Sequence, residues 1–68
     1  MYIVVELQTY NAGVVSNIVT SFDTLADAES HYYSILAAAA VSVVPIHGAI
    51  LISNDCFPIR NQCYKHNG

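Results

Sequence analysis

The chain has 68 residues, room for one small domain (residues 1–68), with 54% hydrophobic and only 10% charged side chains, where an ordinary domain carries about 25% charged residues. Net charge is −3 and the permanent cations are Arg60 and Lys65, too few to track a phosphate backbone or hold a polybasic membrane contact, so duplex nucleic acid and anionic membrane surfaces are excluded as partners. A domain this small buries only roughly 60% of its unfolded surface, so an excess of apolar residues predicts a homo-oligomer that covers what a lone copy would expose.

Residues 2–9 are rich in β-branched side chains. Ile3, Val5 and Leu7 alternate with Val4, Glu6 and Gln8, which predicts a strand with one strongly apolar face. Asn11-Ala12-Gly13 is a turn, with Gly13 supplying a positive φ. Residues 14–22 form the second strand of a hairpin. If its Ile18 and Phe22 face the core beside Ile3, Val5 and Leu7, the connecting loop has an even residue count. The other face of the hairpin then carries Tyr2, Val4, Val15 and Val19 and is expected to be covered by a partner.

Asp23 or Thr24 caps the one credible helix, and Asp27 and Glu29 place negative charge at its positive end. It is expected to run from about Leu25 to about Val43. Leu25, Ala28, Tyr32, Ile35, Leu36, Ala39 and Val43 make the apolar stripe, and Asp27, Ser30, His31 and Ser34 the polar face of the first half. Beyond Ser34 the polar face gives way to Ala37, Ala38 and Val41, so this half is apolar on all sides and predicts coverage by a neighbouring copy. Pro45 ends the helix by disfavouring helical geometry at the preceding residue.

Ile46, Gly48, Ile50 and Ile52 alternate with His47, Ala49, Leu51 and Ser53. Both sets are largely apolar, as in a central strand. Asn54-Asp55 marks a tight turn. Residues 57–64 are a fourth strand, with Phe57, Ile59 and Cys63 on one face and Arg60, Gln62 and Tyr64 on the other. Pro58 lacks an amide donor and places this strand at an edge. The order ββαββ predicts an α+β fold, a four-stranded, mainly antiparallel sheet with one helix packed on one face.

Chemistry-bearing motifs are few. Cys56 and Cys63 match neither a zinc ribbon nor a redox pair and read as free thiols. His31, His47 and His66 lack metal-ligand spacing. No glycine-rich phosphate loop or nucleophile–base pair is present, so neither cofactor nor catalysis is expected; a catalytic dimer using Cys56 or a histidine is the weakest reading. No basic leader opens the chain, and the longest uncharged run, 30–54, is broken by His31, Pro45, His47 and Gly48, so a cytoplasmic protein is expected. Tyr2, Tyr10, Tyr32, Tyr33 and Tyr64 offer flat rings with polar tips, suited to interfaces and to ring stacking. His31 and Tyr33 on the helix, meeting Arg60 and Asn61 of another subunit, would make a stacking platform with one cation for an anionic, ring-bearing ligand. Packing of Tyr32 in the core and of Tyr33 against a neighbour is the competing reading.

Tyr2-Ile3-Val4-Val5-Glu6-Leu7-Gln8, Phe22-Asp23-Thr24, Ala28-Glu29-Ser30-x-Tyr32, Leu36-Ala37-Ala38-Ala39-Ala40-Val41-Ser42, His47-x-Ala49 and the Tyr64-x-His66 ending resemble short reading frames of Gram-positive gut bacteria and their phages. The resemblance spans nearly the whole chain and carries no functional residue. It implies a context in which small oligomeric phage proteins act by binding, one class by sequestering nucleotide-derived immune signals. An interaction module that binds and inhibits a host protein is the alternative.

Overall fold

The computed structural model describes residues 1–66. Strands β1 (Tyr2–Thr9) and β2 (Val15–Phe22) form the first hairpin, α1 (Leu25–Ala40) crosses the sheet, and β3 (Ile46–Ser53) and β4 (Pro58–Lys65) form the second hairpin. All pairings are antiparallel, and the strand order is β2-β1-β3-β4. The doubly apolar β3 is central and the proline-bearing β4 is an edge, as their side-chain patterns predict. The other edge is β2.

Both hairpins close in the same way. Tyr10 N donates to Val14 O (2.8 Å) and Gly13 N to Tyr10 O (2.9 Å); Ser53 N donates to Phe57 O (2.9 Å) and Cys56 N to Ser53 O (3.0 Å). Each is a three-residue loop whose last member takes a left-handed conformation, Gly13 at φ 79° and Cys56 at φ 70°. In the second turn the Ser53 hydroxyl also bonds the Asp55 carboxylate.

This loop length fixes which side chains meet the helix. Glu6 stands opposite Ile18 and Tyr2 opposite Phe22, so Ile18 and Phe22 share a face with Val4 and Glu6. Ile3, Val5 and Leu7 point to the other side. The expectation that they join Ile18 and Phe22 in the core is therefore corrected: closing the loop with Gly13 leaves an odd number of residues between the paired strands, and a one-residue change moves every side chain across the sheet. Val4 is fully buried instead, together with Ala49 and Leu51 of β3 and Ala28, Tyr32 and Ile35 of the helix. Tyr2, assigned with Val4 to the outer face, also packs against this cluster.

Thr24 is the N-cap, its Oγ1 accepting from Asp27 N at 3.2 Å. The helix stops at Ala40, short of Val43. Val41 is the C-cap, the Ser42 hydroxyl takes the Val44 amide (3.1 Å), and the His66 ring bonds the Ala39 carbonyl (2.7 Å). These side-chain bonds satisfy backbone groups that another turn of helix would have used. Val43 thus leaves the apolar stripe and is 95% exposed.

On β4 a bulge opposite Leu51 and Ile52 inserts Ile59 between Pro58 and Arg60. It turns Ile59 toward the core, on the side of Arg60 and Gln62, contrary to the simple alternation expected there. Gly48 faces β4 so closely that a Cβ would meet the Gln62 carbonyl and lie 2.7 Å from Cys63 Cα. No helix among the described residues is long and apolar enough to cross a membrane.

The helix covers one side of the sheet. On the bare side Ile3, Val5 and Leu7 of β1 lie beside Val15 and Val19 of β2, and beside Ile46, Ile50 and Ile52 of β3.

Candidate functional site

Alternation within β4 brings Arg60 and Gln62 to the helix side, and the second and third turns of α1 bring Glu29 and Tyr33 to meet them. Residues four apart on a helix share a face, so Glu29 and Tyr33 flank the same guanidinium. Arg60 Nε donates to Glu29 Oε2 at 3.0 Å, and the guanidinium carbon lies 5.9 Å from the centre of the Tyr33 ring, within cation–π range. The Glu29 hydrogen bond, with smaller help from the neighbouring tyrosine oxygens, raises the Arg60 pKa above its ordinary value. The guanidinium carries five N–H donors and this bond uses one, leaving those on the two terminal nitrogens for an anion.

Beside this pair runs an open groove of about 390 Å³ lined by Tyr32, Tyr33, Leu36, Ile59, Arg60, Asn61 and Gln62, within the roughly 300–1,000 Å³ of small-molecule sites. Tyr33 is half exposed, whereas Tyr32 is buried. Their rings meet edge to face at 5.2 Å, which fixes the orientation of the exposed ring. Burial first, and the Tyr33 oxygen next, push the Tyr32 hydroxyl pKa up. The groove thus offers an aromatic face, an apolar floor from Leu36 and Ile59, one cation, and the side-chain amide of Gln62; Asn61, paired with Ile50, borders it from a strand position that faces the other side of the sheet.

Of the four residues singled out from sequence, Tyr33, Arg60 and Asn61 border this groove. They come from one chain, so the expectation that Arg60 and Asn61 arrive from another subunit is replaced. The pairing of β4 beside β3 and under the helix brings Arg60 to Tyr33 directly. His31 lies elsewhere, its ring 5.2 Å from that of Phe22; two residues before Tyr33, it points to the β2 side. Glu29, Gln62, Ile59 and Leu36 were not singled out as site residues. The four-residue spacing of Glu29 and Tyr33 was the available signal for the first, while Ile59 depends on a bulge that leaves no mark in the residue pattern.

A second polar cluster lies under the far end of the helix. His47, 6% exposed, has Nε2 2.7 Å from Glu6 Oε2, Gln8 donates to the same oxygen at 3.2 Å, and Tyr10 donates to Gln8 at 2.8 Å. His47 Nδ1 is buried without a hydrogen-bond partner among the described residues. Cys56 and Cys63 are both free and exposed. Among the described residues no group of three or more His, Cys, Asp or Glu is placed to hold a metal ion.

No protein-family model, curated protein or solved structure matches the chain.

Proposed function

We propose that this protein is a homo-oligomeric, non-enzymatic binding protein that captures an anionic, ring-bearing small molecule of the nucleotide-derived signalling class and holds it out of circulation in the cytoplasm. The observation that carries the reading is Arg60 poised over the edge of the Tyr33 platform at the mouth of the groove. A base stacks on the exposed ring, and a phosphate takes the free guanidinium donors. Gln62 supplies hydrogen bonds to the ring edge or the sugar. Glu29 orients the guanidinium and, as a carboxylate, disfavours highly charged ligands, so a singly or doubly charged cyclic nucleotide suits the groove better than a triphosphate. In a phage or prophage setting, the same capture would withhold an immune signal from its receptor in the host cytoplasm. Each copy carries its own groove, and oligomerisation multiplies the sites.

Calorimetric titration with a panel of cyclic mononucleotides, cyclic dinucleotides and cyclic ADP-ribose-type molecules tests this. Saturable heat with one member, abolished by Arg60→Ala and strongly weakened by Tyr33→Leu, is expected. No heat with any member removes the reading.

One observation favours the alternative, a module that inhibits a host protein. Edge strand β2 (VSNIVTSF) has neither proline nor a charged side chain along its eight residues, so its free backbone groups are open to a further strand. A stoichiometric protein captured from host lysate, together with no ligand heat, selects this alternative.

A further inference from the structure

The single helix covers one side of the sheet, and the other side is bare. Ile3, Val5 and Leu7 run down its middle, flanked by Ile50 on β3 and by Val15 and Val19 on β2. The two β2 valines are 58% and 61% exposed. We infer that this bare face is the contact surface between two copies of the chain, stacked sheet against sheet with the helices outermost.

Charge argues for a second copy over other occupants. Among the strand residues on that side, the one charged group is Lys65, at a corner opposite Ile46. A twofold contact sets each patch against its own image, so a charged face repels itself while an uncharged apolar one does not. A membrane surface would call for several cations around the patch, and a charged protein partner would find nothing to pair with. The polar residues of this side are Thr9, the last residue of β1, and Asn17, Ser21 and Asn61 on the edge strands, which gives an apolar centre and a polar rim.

Area argues the same way. Strands about 26 Å long, four abreast at about 4.8 Å, give each face roughly 500 Å² before side-chain relief is counted. Two such faces together reach the roughly 1,000 Å² that a specific interface needs. Aligned sheets pack about 10 Å apart with interdigitated side chains, and the groove of about 390 Å³ between Leu7, Val15, Ile46 and Cys63 receives side chains of the opposing copy. This contact rests on the oligomeric part of the preceding reading and specifies it. It does not depend on the ligand, because Tyr33 and Arg60 lie on the helix side and stay open in the stacked pair.

The two cysteines supply an internal reporter. Cys63 lies on the bare face opposite Gly48, while Cys56 sits in the β3–β4 turn; both are exposed in a single copy. The experiment combines sedimentation velocity with iodoacetamide labelling of the wild-type chain, each site read by peptide mass. A dimer in which Cys63 is alkylated about tenfold more slowly than Cys56 is expected, since thiol reactivity follows access. Val15→Lys/Val19→Lys is expected to sediment as a monomer with an unchanged circular dichroism spectrum and a Cys63 as reactive as Cys56. Should that variant not fold, the wild-type labelling ratio alone decides. A wild-type monomer at all concentrations overturns both this contact and the oligomer. A wild-type oligomer with equal labelling at the two cysteines, dissociated by Ala37→Glu/Ala38→Glu and not by the valine changes, overturns the stacked sheets and leaves the oligomer standing on a helix contact.

Discussion

Glu6 and His47 sit on adjacent strands, under the far end of the helix, with the carboxylate Oε2 2.7 Å from the imidazole Nε2. The histidine is buried, the glutamate nearly so, and His47 Nδ1 has no partner among the described residues. Removing Glu6 leaves the buried imidazole without its partner, and removing His47 leaves the Glu6 carboxylate with the Gln8 amide alone, and either loss costs more than the pair contributes. Glu6→Leu and His47→Leu are each expected to destabilise by about 1–3 kcal/mol. The double variant is expected to lie closer to wild type than the sum of the two, because apolar replacement of a whole buried pair is often neutral. Urea midpoints of the four proteins check this. Additive losses would mean that the two side chains contribute independently.

Gly13 and Cys56 occupy the same position in two turns of the same kind, both left-handed. Glycine takes that conformation without strain, while a side chain costs roughly 1–2 kcal/mol there. Cys56→Gly is expected to stabilise the protein by about 1 kcal/mol, raising Tm by roughly 4–8 °C. Gly13→Ala is expected to destabilise by a similar amount although its Cβ would meet nothing within 4 Å, so that the loss is conformational alone. Thermal melts of both variants decide it, and shifts of the same sign would refute the equivalence.

Gly48 is a glycine for another reason. A methyl group there would press on the Gln62 carbonyl and the Cys63 backbone, neither of which can rotate away. Gly48→Ala is expected to cost about 1–3 kcal/mol, as overpacking does, and to loosen β4 specifically. Faster amide exchange on the β4 side of the β3–β4 ladder than on β1–β2 is the signature to measure. Uniform acceleration in both ladders would point to a global effect.

Asp55 gives the acid limb of stability one identifiable contributor. The Ser53 hydroxyl first, then backbone amides of the turn, hold its carboxyl below the usual range. A carboxyl depressed in the folded state stabilises it fully above the unfolded value, near 3.8, and that contribution fades as pH falls through the folded value. The stability difference between wild type and Asp55→Asn should therefore hold from pH 7 to about 5 and shrink below about 4. A difference independent of pH would show that the charge on Asp55 does not stabilise the turn.

The elements were legible because their patterns differ in period. Runs of β-branched and apolar residues bounded by turn residues mark the strands, Pro58 marks an edge, and Thr24 marks the helix start. Face assignment was not legible from β1 by itself, since both of its sides carry valine or isoleucine. The cue lay in Gly13, whose left-handed place at the end of a three-residue loop sets Ile18 opposite Glu6. Once that register holds, Ile3, Val5 and Leu7 can only face outward. The helix end was overread because Val41 and Val43 extend the apolar pattern, while the groups that stop it, the Ser42 hydroxyl and the His66 ring, act through contacts that no local pattern encodes. The groove needed the long-range pairing of β3 with β4 to bring Arg60 to Tyr33, which residue spacing cannot reveal.

Sequestration is distinguished from every other role by what becomes of the ligand. The direct measurement is to mix the protein with the best-binding cyclic nucleotide, filter off the protein, assay the free ligand, and assay again after heat denaturation. Loss of free ligand in proportion to protein, followed by its full return with unchanged mass, is the expected result. A ligand that is never depleted, or that returns chemically altered, contradicts capture in the Tyr33–Arg60 groove as the function of this protein.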